Sequence, residues 1–189
     1  VHSDEVYRGS ELDGIETKSF ASFYEKAIIS CGLSKSFAHP GLRIGWVVAD
    51  ESLINDMWAR KDYSSITSSV LSQEIAIKVM SESNKEKILS RSSIMLESNL
   101  KLFQNWLDKH EDLFSFVPPK AGGMAFIGYK MNINSTKFAH QLRIDQSVLI
   151  VPGDHYGMDR YLRFGIGSEA QYLEEGLSLV SEGIESLNY

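Results

Sequence analysis

A lysine stands just past a short apolar run, Ala27-Ile28-Ile29-Ser30-Cys31, in the stretch Gly32-Leu33-Ser34-Lys35. The run fits a buried parallel strand, and ligands bind at the C-terminal ends of strands in α/β sheets. A primary amine there can form an imine with a carbonyl compound, and its pKa falls when it is desolvated or set beside other cations. Arg43 follows eight residues later, after the turn signal Pro40-Gly41. A guanidinium at such a turn can grip a phosphate through two parallel N–H bonds. By themselves the two cations also suit a solvated turn, because lysines are mostly exposed.

Two further clusters carry chemistry. Asp4-Glu5-Val6-Tyr7 ends what reads as a strand near the start of the chain. By itself it fits a solvated acidic strand end best, since charged residues usually sit outside. Tyr161-Leu162-Arg163-Phe164-Gly165 sets an arginine inside an apolar strand. Burying that charge is costly without an anion, supplied by an internal acid or by a ligand carboxylate.

The elements that position these residues follow from patterning. Residues 42–49 read as a strand after the Pro-Gly turn. Asp50 is placed to cap a helix over 51–61, with Glu51 in its first turn and Leu53, Ile54, Met57 and Trp58 at helical spacing. A helix over 70–80 carries Leu71, Ile75, Ala76 and Val79 on one face. A long helix over 85–109 carries Ile88, Ile94, Leu96, Leu100, Phe103 and Leu107. Strands at 114–117 and 124–129 lead to a helix near 136–143. The segment 147–151 and the turn Pro152-Gly153 come next, then a strand over 161–165 and a last helix over 169–187. Strands mixed with helices in this way imply a small α+β domain after the long helix.

Composition narrows the class. A formal net charge of −6 lacks the basic surface of a nucleic-acid platform. Cys31 is the only cysteine, so no intrachain disulfide can form, and a reduced, cytosolic setting is expected. No apolar run reaches the roughly 18 residues of a membrane span. Val1-His2-Ser3-Asp4-Glu5 lacks a signal-peptide pattern, and an opening strand end without Met suggests a piece of something longer. His2, His110, His140 and His155 show no metal-binding spacing, and His39 suits packing or a backbone hydrogen bond better than substrate.

Taken together, the clusters resemble those of class I/II, fold-type I, pyridoxal-phosphate-dependent aminotransferases. Gly32-Leu33-Ser34-Lys35-Ser36-Phe37-Ala38-His39-Pro40-Gly41-Leu42-Arg43-Ile44-Gly45 is similar to that family's cofactor-lysine signature. The resemblance implies that Lys35 holds pyridoxal 5'-phosphate through a Schiff base and serves as the catalytic base. It implies that Arg43 binds the phosphate, Asp4 pairs with the protonated ring nitrogen and Tyr7 reaches the ring's phenolic oxygen. The cationic ring can then accept the electrons of a substrate carbanion. Arg163 would clamp the substrate α-carboxylate. Gly122-Gly123-Met124 and Val151-Pro152-Gly153 resemble landmarks of the family's small domain. Two departures stand out. His39 occupies a usually apolar position, and Gly32 stands where many members place a phosphate-binding serine, for which Ser30 or Ser34 could substitute.

The fold so implied is α/β: the C-terminal part of the large cofactor-binding domain over 1–84 and a small α+β domain over 85–189. The activity implied is transfer of an amino group between an amino acid and a 2-oxo acid, by a cytoplasmic homodimer with no metal, nucleic-acid or membrane partner. A lyase or cyclase using the same carbanion is the alternative, as is a non-catalytic cofactor- or ligand-binding fragment. The resemblance places the Gly-rich phosphate loop and the ring-stacking aromatic in an N-terminal half absent from this chain. The chain alone is therefore expected to catalyse weakly or not at all.

Overall fold

The structure is a computed structural model that describes residues 1–187. The chain forms two compact units, residues 1–93 and 94–189.

The first unit is built on a three-stranded sheet, β1 (His2–Asp4), β2 (Ile28–Gly32) and β3 (Gly45–Val48), in that spatial order. β1 runs parallel to β2 with Asp4 opposite Ser30, and β3 runs antiparallel to β2 with Gly32 opposite Gly45. The expected strand over 42–49 is therefore shortened. Pro40–Leu42 form a 3₁₀ turn, and Arg43 closes it in the left-handed conformation at φ 54°. Proline at the first helical position presets that turn, which removes 42 and 43 from the ladder. Close backbone approach explains the paired glycines. A Cβ on Gly32 would lie 3.0 Å from the Ile44 carbonyl oxygen, and one on Gly45 would lie 2.9 Å from that of Cys31.

α1 (Glu51–Lys61) begins where expected. Asp50 accepts a hydrogen bond from the Ser52 N–H at 2.9 Å, and Glu51 sits in the first turn. Its apolar residues are less buried than the periodicity implies: Leu53 and Ile54 are half-buried and Trp58 is 68% exposed. α2 (Val70–Met80) buries Ala76 and Val79 but leaves Leu71 76% exposed and Ile75 exposed. Ala76 and Val79 join Leu33 and Phe37 in a small core, with Leu42, Ile44, Trp46, Ile88 and Leu89 packed around it. α3 (Glu82–Asp108) starts after the single residue Ser81, and its 27 residues span about 40 Å at 1.5 Å each. The two units divide within this helix.

The second unit carries a four-stranded antiparallel sheet, order β4-β5-β7-β6, from β4 (Phe114–Phe116), β5 (Met124–Tyr129), β6 (Val151–Pro152) and β7 (Tyr161–Gly165). The C-terminal part of α3, together with α4 (Ser135–Asp145) and α5 (Ala170–Ser186), contributes to its core. α4 is capped by Asn134, whose Oδ1 accepts from the Thr136 and Lys137 N–H groups. The core runs from Phe103, Trp106 and Leu107 through Ile127, Phe138, Leu142 and Leu162 to Val180 and Ile184. Ile94, expected on the buried stripe of α3, is exposed. Asn99, buried on the same helix, donates to the Ile166 and Ser168 carbonyls at 2.8 and 2.7 Å and pins the turn after β7.

Candidate active site

Sheet topology delivers four of the five expected site residues to one edge. Because β1 and β2 are parallel, their C-terminal ends lie together. Because β3 is antiparallel to β2, its N-terminal end lies there too. Asp4 is the last residue of β1 and Tyr7 follows three residues on. Lys35 follows the end of β2 by three residues, and Arg43 precedes the start of β3 by two. The connecting loops are laced by backbone bonds: Glu5 N–H to Ser30 O at 2.8 Å, Ser36 N–H to Val6 O at 3.3 Å, Leu33 N–H to Ile44 O at 3.1 Å and His39 N–H to Leu33 O at 2.8 Å.

Lys35 is exposed and its Nζ lies 6.0 Å from the centre of the Tyr7 ring. Among the described residues no carboxylate is within ion-pair distance of Lys35 or Arg43. Arg43 donates one N–H to the Pro40 carbonyl at 2.9 Å, and the Asp4 carboxylate accepts from the Val6 N–H at 3.2 Å. Arg43 and Ala38 are both non-glycine residues at positive φ, 54° and 55°. That conformation costs about 1 kcal/mol or more each and persists where surrounding structure enforces it.

The neighbouring residues sort into structural roles. Ser30 Oγ is taken up by His2 Nε2 at 3.0 Å. His39 Nδ1 donates to the Phe37 carbonyl, a backbone hydrogen bond of the kind its position suggested. Cys31 is half-buried rather than buried; its thiol donates to Glu5 O at 3.3 Å, and burial pushes its pKa up. Glu5, which the sequence offered only as part of an acidic pair, accepts from Ser19 Oγ at 3.0 Å and from the Phe20 N–H at 2.8 Å. Arg8, 3.9 Å from Glu5, also pairs with Glu16 at 2.5 Å. These bonds tie down the loop that follows Tyr7. No sequence signal marks them, since each spans residues without fixed spacing.

Arg163 belongs to the second unit. It sits in the middle of β7, opposite Phe126 on β5 and Val151 on β6, so it is not at a sheet edge. Leu162 and Phe164 point into the core, and alternation puts half-buried Arg163 on the other face. Among the described residues no acid pairs with it; its Cζ lies over the Tyr156 ring, 5.5 Å from the centroid.

Asp4, Tyr7, Lys35 and Arg43 thus lie at or beyond the same end of the three-stranded sheet. The chain belongs to the aminotransferase class I and II family, whose model matches residues 1–179. It is 26% identical over 156 residues to capreomycidine synthase of Streptomyces vinaceus, covering 82% of this chain and 40% of that protein. It is 26% identical over 183 residues to aromatic-amino-acid aminotransferase 2 of Thermococcus litoralis, covering 94% and 46%. A PLP-dependent aminotransferase from Streptococcus suis superposes with a TM-score of 0.91 at 30% identity, over 100% of this chain and 49% of that one. The chain thus spans less than half the length of these relatives. The fold is the expected mixed α/β arrangement of the fold-type I transferases.

Proposed function

We propose that the whole protein is a pyridoxal-phosphate-dependent aminotransferase that moves an amino group between an amino acid and a 2-oxo acid. The observation that carries this reading is the position of Asp4, Tyr7, Lys35 and Arg43 at one end of the sheet, with neither cation paired to an acid among the described residues. The donor set fits the group. It offers an amine for an aldehyde, a carboxylate for a basic ring nitrogen, a phenol for a ring oxygen and a guanidinium for a phosphate.

When bound, the cofactor supplies an aldehyde for covalent attachment and a cationic ring that withdraws electrons from the substrate Cα. The chain's residues do the rest. The Asp4 carboxylate would hold the proton on the ring nitrogen, Tyr7 Oη would hydrogen-bond the ring oxygen, and the Arg43 fork would take phosphate oxygens. Lys35 Nζ would anchor the cofactor and would serve as the base for the proton on the substrate Cα. Arg163 takes the substrate carboxylate in its plane. Gly32 brings no hydroxyl to the phosphate, and Ser30 Oγ is engaged by His2, so Ser34 is the remaining candidate of the two serines.

The likeness to a synthase as well as to aminotransferases favours, as a second reading, a cyclase or lyase built on the same residues. Homodimeric assembly and a cytoplasmic setting accompany the main reading. No helix among the described residues is long and apolar enough to cross a membrane, and no group of three metal-ligating side chains is found among them.

The test is made on the full-length protein with added pyridoxal phosphate and borohydride. The cofactor's mass is expected on the peptide containing Lys35, and Lys35→Ala is expected to abolish both that adduct and amino transfer across a panel of amino acids with pyruvate or 2-oxoglutarate. Amino transfer retained by the alanine variant would refute the assignment. An adduct without amino transfer to any acceptor would move the protein to the second reading.

A further inference from the structure

On the open face of the second unit's sheet, Arg163 stands at the end of a wall of rings. Phe126, its cross-strand partner, stacks on Tyr161 with centroids 5.0 Å apart and an interplanar angle of 18°. Tyr156 meets the edge of Phe126 at 6.1 Å and 88°. Tyr156 also lies beneath the guanidinium, whose Cζ is 5.5 Å from its centroid.

Tyr156 is held where it is by a closed turn. The 3₁₀ segment Gly153–Tyr156 ends at Gly157, at φ 70°, and its backbone is locked by Gly157 N–H to Asp154 O and Met158 N–H to Gly153 O, each at 3.0 Å. Gly153 cannot be replaced without collision, because an added Cβ would strike the Met158 carbonyl oxygen. A rigid turn therefore presents one phenol ring to one guanidinium.

We propose that Tyr156 is a positioning residue that orients Arg163 for the carboxylate of the substrate. This inference rests on the reading of Arg163 as the carboxylate-binding residue. The two contacts of the guanidinium use different directions. A ring binds the flat face of the cation, while a carboxylate binds the N–H fork in its plane. With Cζ over the ring and no acid paired to it among the described residues, the fork is open to a ligand, while the ring limits the rotamers a long side chain must surrender on binding. With no acid paired to it among the described residues, the ring is what holds the charge in place before the ligand arrives.

The experiment uses the full-length, cofactor-loaded protein. It measures kcat and KM for the best amino donor, and the inhibition constant of propionate as a plain competing carboxylate. Tyr156→Phe keeps the ring and is expected to stay within about twofold of the parent. Tyr156→Leu is expected to raise KM and the propionate constant roughly three- to tenfold, the scale of a partly exposed cation–π contact, while kcat changes less and cofactor absorbance is unchanged. A series of increasingly fluorinated phenylalanines at position 156 drains the ring face while closely preserving its shape, so it reports even where leucine fails to fold. The propionate constant should climb with each fluorine. A flat fluorine series, or phenylalanine and leucine variants alike, would overturn the proposal. Arg163→Gln separates the layers. If it leaves propionate binding intact, the carboxylate reading itself is wrong; if it weakens binding while Tyr156→Leu does not, only the positioning role falls.

Discussion

Lys35 and Arg43, eight residues apart at one end of this sheet, have no acid within ion-pair distance among the described residues. Surface cations need no partner, but here they share the edge with a carboxylate and a phenol, and the Arg43 backbone sits in a costly conformation. Another residue shows how the same region is kept in shape. Glu11, nearly buried, accepts from the Gly9 N–H at 2.8 Å and the Thr17 N–H at 2.9 Å. Burial pushes its carboxyl up, but the hydrogen bonds from Thr17 and Gly9 outweigh it and hold the pKa below the ordinary 4.5. A depressed folded value means the contribution is complete above about pH 4.5 and fades as pH falls through that folded value. Glu11→Gln should therefore destabilise the first unit at pH 7 by on the order of 1 kcal/mol, measured by denaturant unfolding. The gap between parent and variant should close on acidification below that range. A gap that persists undiminished in acid would show that charge is not what Glu11 contributes.

At the scale of elements, the packing of α4 against α5 makes a sharper demand than helix propensity. Gly183 lies in the last turn of α5 and is buried, and a Cβ there would collide with Leu142 Cδ2 on α4. Alanine is intrinsically better in a helix by about 1 kcal/mol. Leu142 is only 1% exposed, however, so its methyl has nowhere to go. Overpacking a tight core costs about 1–3 kcal/mol. Gly183→Ala is thus expected to lower stability by about 1 kcal/mol net, read as a fall in Tm of the second unit. A rise in Tm would mean that α5 shifts freely and that the contact is loose.

At the scale of the molecule, the two units are unequally provided with core. The first buries Leu33, Phe37, Ala76 and Val79, and leaves Trp58, Leu71 and Ile77 in solvent. The second buries a continuous cluster from Phe103 to Ile184 in which Phe103 and Phe114 make ring contacts with Phe164 and Trp106. Burying a large apolar side chain contributes about 1.5–3 kcal/mol, so for this chain by itself the second unit should outlast the first. Hydrogen exchange of the 189-residue chain is expected to show amides of β2 and β3 opening well before those of β5 and β7. Simultaneous opening of both sheets would show one cooperative body instead. The exposed apolar residues of α1 and α2 also predict dye binding by that chain in isolation.

Residue order alone determined much of this protein. Turn and strand grammar located β2, the Pro-Gly turn and β7, because those signals act between neighbours in the chain. Asp50 was legible as a cap for the same reason, as was the strand end at Asp4. What the sequence could not show depended on partners brought from a distance. Periodicity put Leu71 and Ile94 on buried stripes, but burial is decided by what covers a face, and these are exposed. Arg43 read as strand; its left-handed turn comes from Pro40 and from the closeness of β2 and β3 at Gly32 and Gly45. Only the antiparallel register set Phe126 beside Arg163, and only the closed turn at Gly153 put Tyr156 beneath it. Local order specifies which groups can react, while long-range packing decides which of them meet.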